Sequence, residues 1–152
     1  MKLINAVKNQ DVEEVKQILK QKPEQINQAD ERGFTALLFA TYMDNTELVD
    51  YLLAFNPDVD AQDVTGNTAL MGVSFKGNVG MAEKLLRNGA DINLTNNKGA
   101  TALIYAVSFN QPEVVKLLID HNADVGLKDQ HSYTAKDHAQ KLGYKEIEAL
   151  FS

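Results

Sequence analysis

At 152 residues and 44% apolar content, the chain has the length of one domain and enough apolar material to build a core. Its net charge of −6, with Arg32 and Arg87 as the only arginines, argues against a nucleic-acid partner and against an anionic membrane surface. The absence of cysteine excludes disulfides, cysteine zinc sites and thiol catalysis.

The first elements lie within residues 1–29. Leu3, Ala6, Val15, Ile18 and Leu19 form apolar faces of two short helices, with polar Glu13, Glu14, Lys16, Gln17 and Lys20 outside them. The start turns polar after a few residues, too early for a secretory leader, and no apolar run approaches the roughly 20 residues needed to span a bilayer. With Met1 as the native start, this points to a cytoplasmic protein.

From residue 30 onward the chain repeats itself. Gly33, Gly66 and Gly99 stand 33 residues apart, and Ser132 continues the series. Thr35-Ala36, Thr68-Ala69, Thr101-Ala102 and Thr134-Ala135 keep the same step, as do Leu52, Leu85, Leu118 and Phe151. Such a period marks a repeat architecture. In the unit 30–62, Thr35 is suited to cap a first helix that runs to about Met43. Asp44-Asn45-Thr46 turns the chain into a second helix, where Leu48, Val49, Leu52 and Leu53 share one face. Asn56 ends that helix, as Gly89 and Asn122 do in the units 63–95 and 96–128. Asp58 to Gly66 forms a turn-rich hairpin link to the next unit.

The last unit, 129–152, departs from the pattern as a cap should. Lys136 replaces the repeating leucine, and Glu148 replaces an apolar residue of the second helix. Polar ends keep a stack soluble, so the expectation is one complete domain over 1–152, an all-α repeat solenoid with capping units at 1–29 and 129–152.

The unit beginning Asn96-Asn97-Lys98-Gly99-Ala100-Thr101-Ala102-Leu103-Ile104-Tyr105-Ala106 and ending Leu117-Leu118-Ile119-Asp120-His121-Asn122-Ala123-Asp124-Val125 resembles the ankyrin repeat. That family's pattern is D-x-x-G-x-T-P-L-H-x-A, followed by a second helix ending L-L-x-x-G-A-D. Here Ala36, Ala69 and Ala102 stand where the family prefers proline, and Leu38, Met71 and Ile104 where it prefers histidine. The resemblance implies a non-catalytic adaptor, scaffold or inhibitor that binds another protein, with hairpin tips and the inner face of the first helices as the binding surface. Carried over by position, this selects Glu31, Arg32, Phe34, Tyr42 and Met43 in the second unit. The third unit adds Val64, Thr65, Asn67, Phe75 and Lys76. Asn97, Lys98, Ala100, Ser108 and Phe109 follow in the fourth. Gln130, His131, Tyr133, Lys141 and Leu142 complete the surface. Five of these positions are aromatic, and aromatics concentrate at interface hot spots. The competing expectation is that the rings pack on the neighbouring first helix, as Phe39 and Tyr105 are expected to do.

Other chemistry finds little support. His131 and His138 lie seven apart beside Asp137, without a third ligand in a recognisable motif, so no metal site is expected. Asp58, Asp60 and Asp63 resemble the start of a calcium loop, but the twelfth position is Ala69 and not a glutamate. Gly72-Val73-Ser74-Phe75-Lys76-Gly77 occupies helix positions, so Gly72 and Gly77 read as a tight-packing position and a turn. No phosphate-binding loop or nucleophile elbow occurs, and the expected protein has no cofactor and is a monomer. The rival functions are a stabilising subunit of an enzyme or assembly, which needs a larger and more apolar interface, and a small-ligand binder, which needs an enclosed pocket. Self-association through the aromatic surface is a further alternative.

Overall fold

A computed structural model describes residues 2–152. Ten α-helices follow one another: α1 (Lys2–Lys8), α2 (Val12–Gln21), α3 (Ala36–Tyr42), α4 (Thr46–Leu53), α5 (Ala69–Lys76), α6 (Val79–Arg87), α7 (Ala102–Ser108), α8 (Pro112–Asp120), α9 (Ala135–Leu142) and α10 (Lys145–Ala149), with a 3₁₀ turn at Pro23–Asn27. No strand forms among the described residues; one isolated bridge joins Ala29 to Thr35. The odd-numbered helices stack in one row, α1 on α3, then α5, α7 and α9, and each packs against the even-numbered helix that follows it. This is the all-α repeat solenoid that the period implies.

The helices start where side chains can satisfy free amides. The amides of Leu38, Met71, Ile104 and Asp137 donate to the hydroxyls of Thr35, Thr68, Thr101 and Thr134 at 3.1–3.2 Å. Asn45 and Asn78 cap α4 and α6 in the same way, while α8 begins with Pro112. The repeating leucines close the interior: Leu37, Leu70 and Leu103 are 2% exposed, and Leu52, Leu85 and Leu118 are fully buried. Each such burial contributes about 2 kcal/mol. Leu38, Met71 and Ile104, at the positions where the family prefers histidine, are buried too, so the stack is apolar there.

Two ladders with the same 33-residue step tie the units together. At the hairpin tips, the amides of Val64, Asn97 and Gln130 donate to the carbonyls of Arg32, Thr65 and Lys98 (2.8–3.0 Å). This close approach explains the tip glycines. Gly33, Gly66 and Gly99 have φ of 80°, 83° and 72°, and an added Cβ would lie within about 3 Å of the next tip's backbone. Ser132 takes the same conformation (φ 66°) at the last tip, which no further tip follows within the described chain. On the opposite loops, the amides of Asp58, Asp91 and Asp124 donate to the side chains of Asn27, Asp60 and Asn93, each at 2.8 Å. Asp58, Asp60 and Asp63 are therefore turn and ladder residues. Asn56, Gly89 and Asn122 are left-handed, as expected for residues that end α4, α6 and α8.

Candidate functional site

A groove of about 340 Å³ opens on the row of odd-numbered helices, between α3 and α5. Its floor is Leu38, Met71 and Val73; Phe34, Tyr42, Phe75 and Tyr105 wall it, and Lys76 and Asp63 stand at its edge. The groove exists because of Gly72. In the 33-residue register Phe39, Gly72, Tyr105 and His138 occupy one column. Phe39 is buried and Tyr105 half-buried, whereas a Cβ built on Gly72 meets nothing within 4 Å. The tight-packing expectation for Gly72 is therefore corrected: the residue leaves space because no neighbour approaches it. Gly77 is the turn it was expected to be. Its φ is 77°, and an added Cβ would meet the Gln111 side chain, whose Nε2 donates to the Phe75 carbonyl at 3.0 Å.

The expected surface residues divide into groups. Tyr42, Phe75 and Phe109 are 68%, 43% and 48% exposed, and the rings of Phe75 and Phe109 touch with centroids 4.2 Å apart. Lys76 lies over the Tyr42 ring at 4.8 Å, donates to the Tyr42 carbonyl and pairs with Asp44 at 3.1 Å. Phe34 is half-buried and tilts against Phe39, with the Arg32 guanidinium over its ring at 5.1 Å. Glu31, Thr65, Lys98 and His131 are exposed on the hairpins. Tyr133 sits at the far end of the row, against His138 and under Lys141, apart from the groove.

Three expected positions are occupied by structural tasks. Met43 is half-buried against the core, Ala100 is buried, and Asn67 accepts a hydrogen bond from Asn96 Nδ2 at 2.8 Å. Tyr105 behaves as expected, since its ring packs and its hydroxyl lies 2.8 Å from Asn96 Nδ2.

Sequence reasoning missed the contact that, in the last two hairpins, joins the residue that opens the hairpin to the residue nine positions later. Asp30, Asp63, Asn96 and Asp129 each accept, through Oδ1, the amides two and four residues on. In the last two the remaining side-chain atom turns to the later residue: Asn96 Nδ2 donates to the Tyr105 hydroxyl, and Asp129 Oδ2 meets His138 Nε2 at 2.7 Å. The nine-residue spacing recurs at the 33-residue period, which is the signal that could have revealed it. Burial alone would raise the pKa of Asp129. Hydrogen bonds from His138 and from the Tyr133 and His131 amides outweigh it and hold the carboxyl below its usual value of 3.8. Asp60 moves the other way, raised by burial and by repulsion from Asp91 and Asp58, although the Asp91 amide partly compensates.

Charge is also divided between the two rows. The odd-numbered helices carry Lys2, Lys8, Lys76, Lys136 and Lys141 against Asp137 alone, while acids outnumber bases on the even-numbered ones. Among the described residues no three His, Asp or Glu side chains cluster as metal ligands, and no helix is long and apolar enough to cross a membrane.

A stack of capped helix pairs joined by hairpins, with an exposed aromatic groove on the row of odd-numbered helices, defines a helical repeat protein of the solenoid class. The family model described as ankyrin repeats (three copies) matches residues 3–96 and again 71–151. The chain belongs to the ankyrin-repeat family. Ankyrin repeats are generally protein–protein interaction modules and are typically non-catalytic. No curated protein matches the sequence.

Proposed function

We propose that this chain is a non-catalytic adaptor or inhibitor that recognises another protein through its row of first helices and hairpin tips. One observation carries this reading. Tyr42, Phe75 and Phe109 hold large rings substantially exposed at the surface beside an apolar groove, even where Phe75 and Phe109 meet each other across neighbouring units. Exposed aromatic area of this kind favours association, because a partner removes it from water and the rings lose little conformational freedom. Arg32 and Lys98 are exposed at the border of the surface and favour an acidic partner over a basic one, while Lys76 is already paired with Asp44.

A paired capture from the source organism's lysate tests this reading. One bait is the unmodified chain and the other carries Tyr42→Ser, Phe75→Ser and Phe109→Ser, with folding checked by thermal melting. A protein retained by the first bait and lost from the second is expected. Equal retention by both folded baits would remove these rings from the interface.

A further inference from the structure

The empty position at Gly72 has two filled counterparts in the same molecule, and they specify what fits it. In the unit that follows, the Tyr105 ring occupies the column and its hydroxyl reaches Asn96. In the last unit, the His138 ring occupies it and Nε2 reaches Asp129 Oδ2. The pair in between is Asp63 and Gly72. Asp63 lines the groove and spends Oδ1 on the amides of Thr65 and Asn67 and on the Thr65 hydroxyl. Its Oδ2 has no hydrogen-bond partner among the described residues. The position thus lacks the ring that both following units supply from their own chain, and its carboxylate, like that of Asp129 facing His138, calls for a donor on that ring, whereas the Tyr105 hydroxyl accepts from Asn96 Nδ2.

We propose that the Gly72 groove is a socket for a tyrosine or tryptophan side chain of a partner protein, with its ring over Gly72, its donor on Asp63 and acidic residues flanking it. Size and polarity suit this occupant. About 340 Å³ of groove, floored by Leu38 and Met71, holds one aromatic side chain. Asp63 offers an acceptor and therefore asks for a phenol hydroxyl or an indole N–H. Charge separates these from a cationic ring or guanidinium, since the Arg32 guanidinium over Phe34 stands at the same groove and would repel a positive group, while Lys76 is already paired with Asp44. Arg32 attracts acids beside the inserted ring. This proposal rests on the protein-recognition reading above and adds to it the anchor residue and its surroundings.

The probe is the peptide acetyl-Glu-Asp-Tyr-Asp-Glu-amide, titrated into isotope-labelled protein and followed by amide shifts. Shifts are expected around Gly72, Met71 and Asp63. Replacing the probe's tyrosine by phenylalanine should weaken binding about tenfold, since Asp63 then loses its donor. Substituting lysine for the probe's acids should abolish binding.

Gly72→Tyr fills the socket as Tyr105 fills its own position. It should eliminate the shifts while raising Tm by a few degrees, because a helical glycine is replaced where space exists. Gly72→Ala, which adds a single methyl group, keeps the test valid should the larger variant misfold. It should fold and weaken binding severalfold. Asp63→Asn should keep the preference for tyrosine over phenylalanine, since an amide Nδ2 donates to a phenol oxygen as Asn96 does to Tyr105, and should weaken the same probe carrying tryptophan, whose indole N–H needs an acceptor.

No shifts at Gly72, or unchanged binding to the folded Gly72 variants, would overturn the socket. Equal affinity for free N-acetyl-tyrosinamide would overturn the flanking contacts and assign the groove to a small phenol. Failure here, together with a lysate partner that is lost only from the Tyr42/Phe75/Phe109 variant, would leave the row of odd-numbered helices as a protein-binding surface and remove Gly72 from it.

Discussion

Residues 60–76 and 93–109 are successive passes through the same architecture, and they part company at a few side chains. Both passes present a hairpin, a threonine cap and a buried leucine, Leu70 in one and Leu103 in the other. In the later pass Tyr105 covers the exposed face of its odd-numbered helix and is tied to Asn96; in the earlier one Gly72 leaves that face open beside Asp63. Ser74 is buried where Val107 is buried, and Asp60 serves the ladder that Asn93 serves in the next unit. The backbone is thus held by the shared positions, and residues outside that shared set decide whether a unit is closed by its own chain or left open.

The largest effect should come from opening the later pass as well. Tyr105→Gly removes a half-buried ring, deprives Asn96 Nδ2 of a partner and places glycine inside a helix. Denaturant unfolding should show a loss of about 3 kcal/mol. An unchanged midpoint would mean that the ring contributes nothing to stacking.

Asp129→Asn extends the comparison to the last unit, because Asn96 shows that an amide can hold the same hairpin. The variant keeps the acceptor for the two amides and loses the charged contact to His138, at a cost of about 1–2 kcal/mol near neutral pH. The pKa of Asp129 is lowered in the folded state, so the wild type's advantage is full above 3.8 and fades as pH falls through the lower folded value. Thermal melts at pH 7 and pH 3 should differ in that direction.

Ser74→Ala should stabilise the protein by about 1 kcal/mol. The Ser74 hydroxyl oxygen is buried without a hydrogen-bond partner, whereas the Thr41 hydroxyl, one unit earlier, donates to the Leu38 carbonyl. A lower Tm for the variant would show that the hydroxyl is satisfied after all.

The smallest effect is expected from Asp60→Asn, a gain of about 0.5 kcal/mol at neutral pH. Asn27 and Asn93 carry the same ladder bond without charge, while Asp60 faces Asp58 and Asp91. Its raised pKa means that the folded state disfavours the ionised form. The wild type should therefore catch up with the variant as pH falls through that raised value towards 3.8. A constant gap across pH would assign the gain to something other than charge.

Much of the architecture was legible in the residues. The 33-residue step of Gly33, Thr35 and Leu37 announces the hairpin, cap and core in turn, since each residue type has a local reason to be there. The candidate surface was legible only in outline. Position alone could not separate Tyr42, Phe75 and Phe109, whose rings are substantially exposed, from Met43 and Asn67, which the interior and a hydrogen-bond network occupy. Gly72 was misread because glycine serves both close packing and vacancy, and only the distances to its neighbours tell these apart.

The sequence by itself determined the repeat, the caps, the buried leucine columns and the family, because periodic local preferences need no knowledge of what lies across the stack. Tertiary structure decided the rest. The groove at Gly72, the pairing of Asp129 with His138 and the separation of charge between the two rows arise when stacking brings residues from different turns and units together. Their properties depend on distance and burial, which no single stretch of the chain contains.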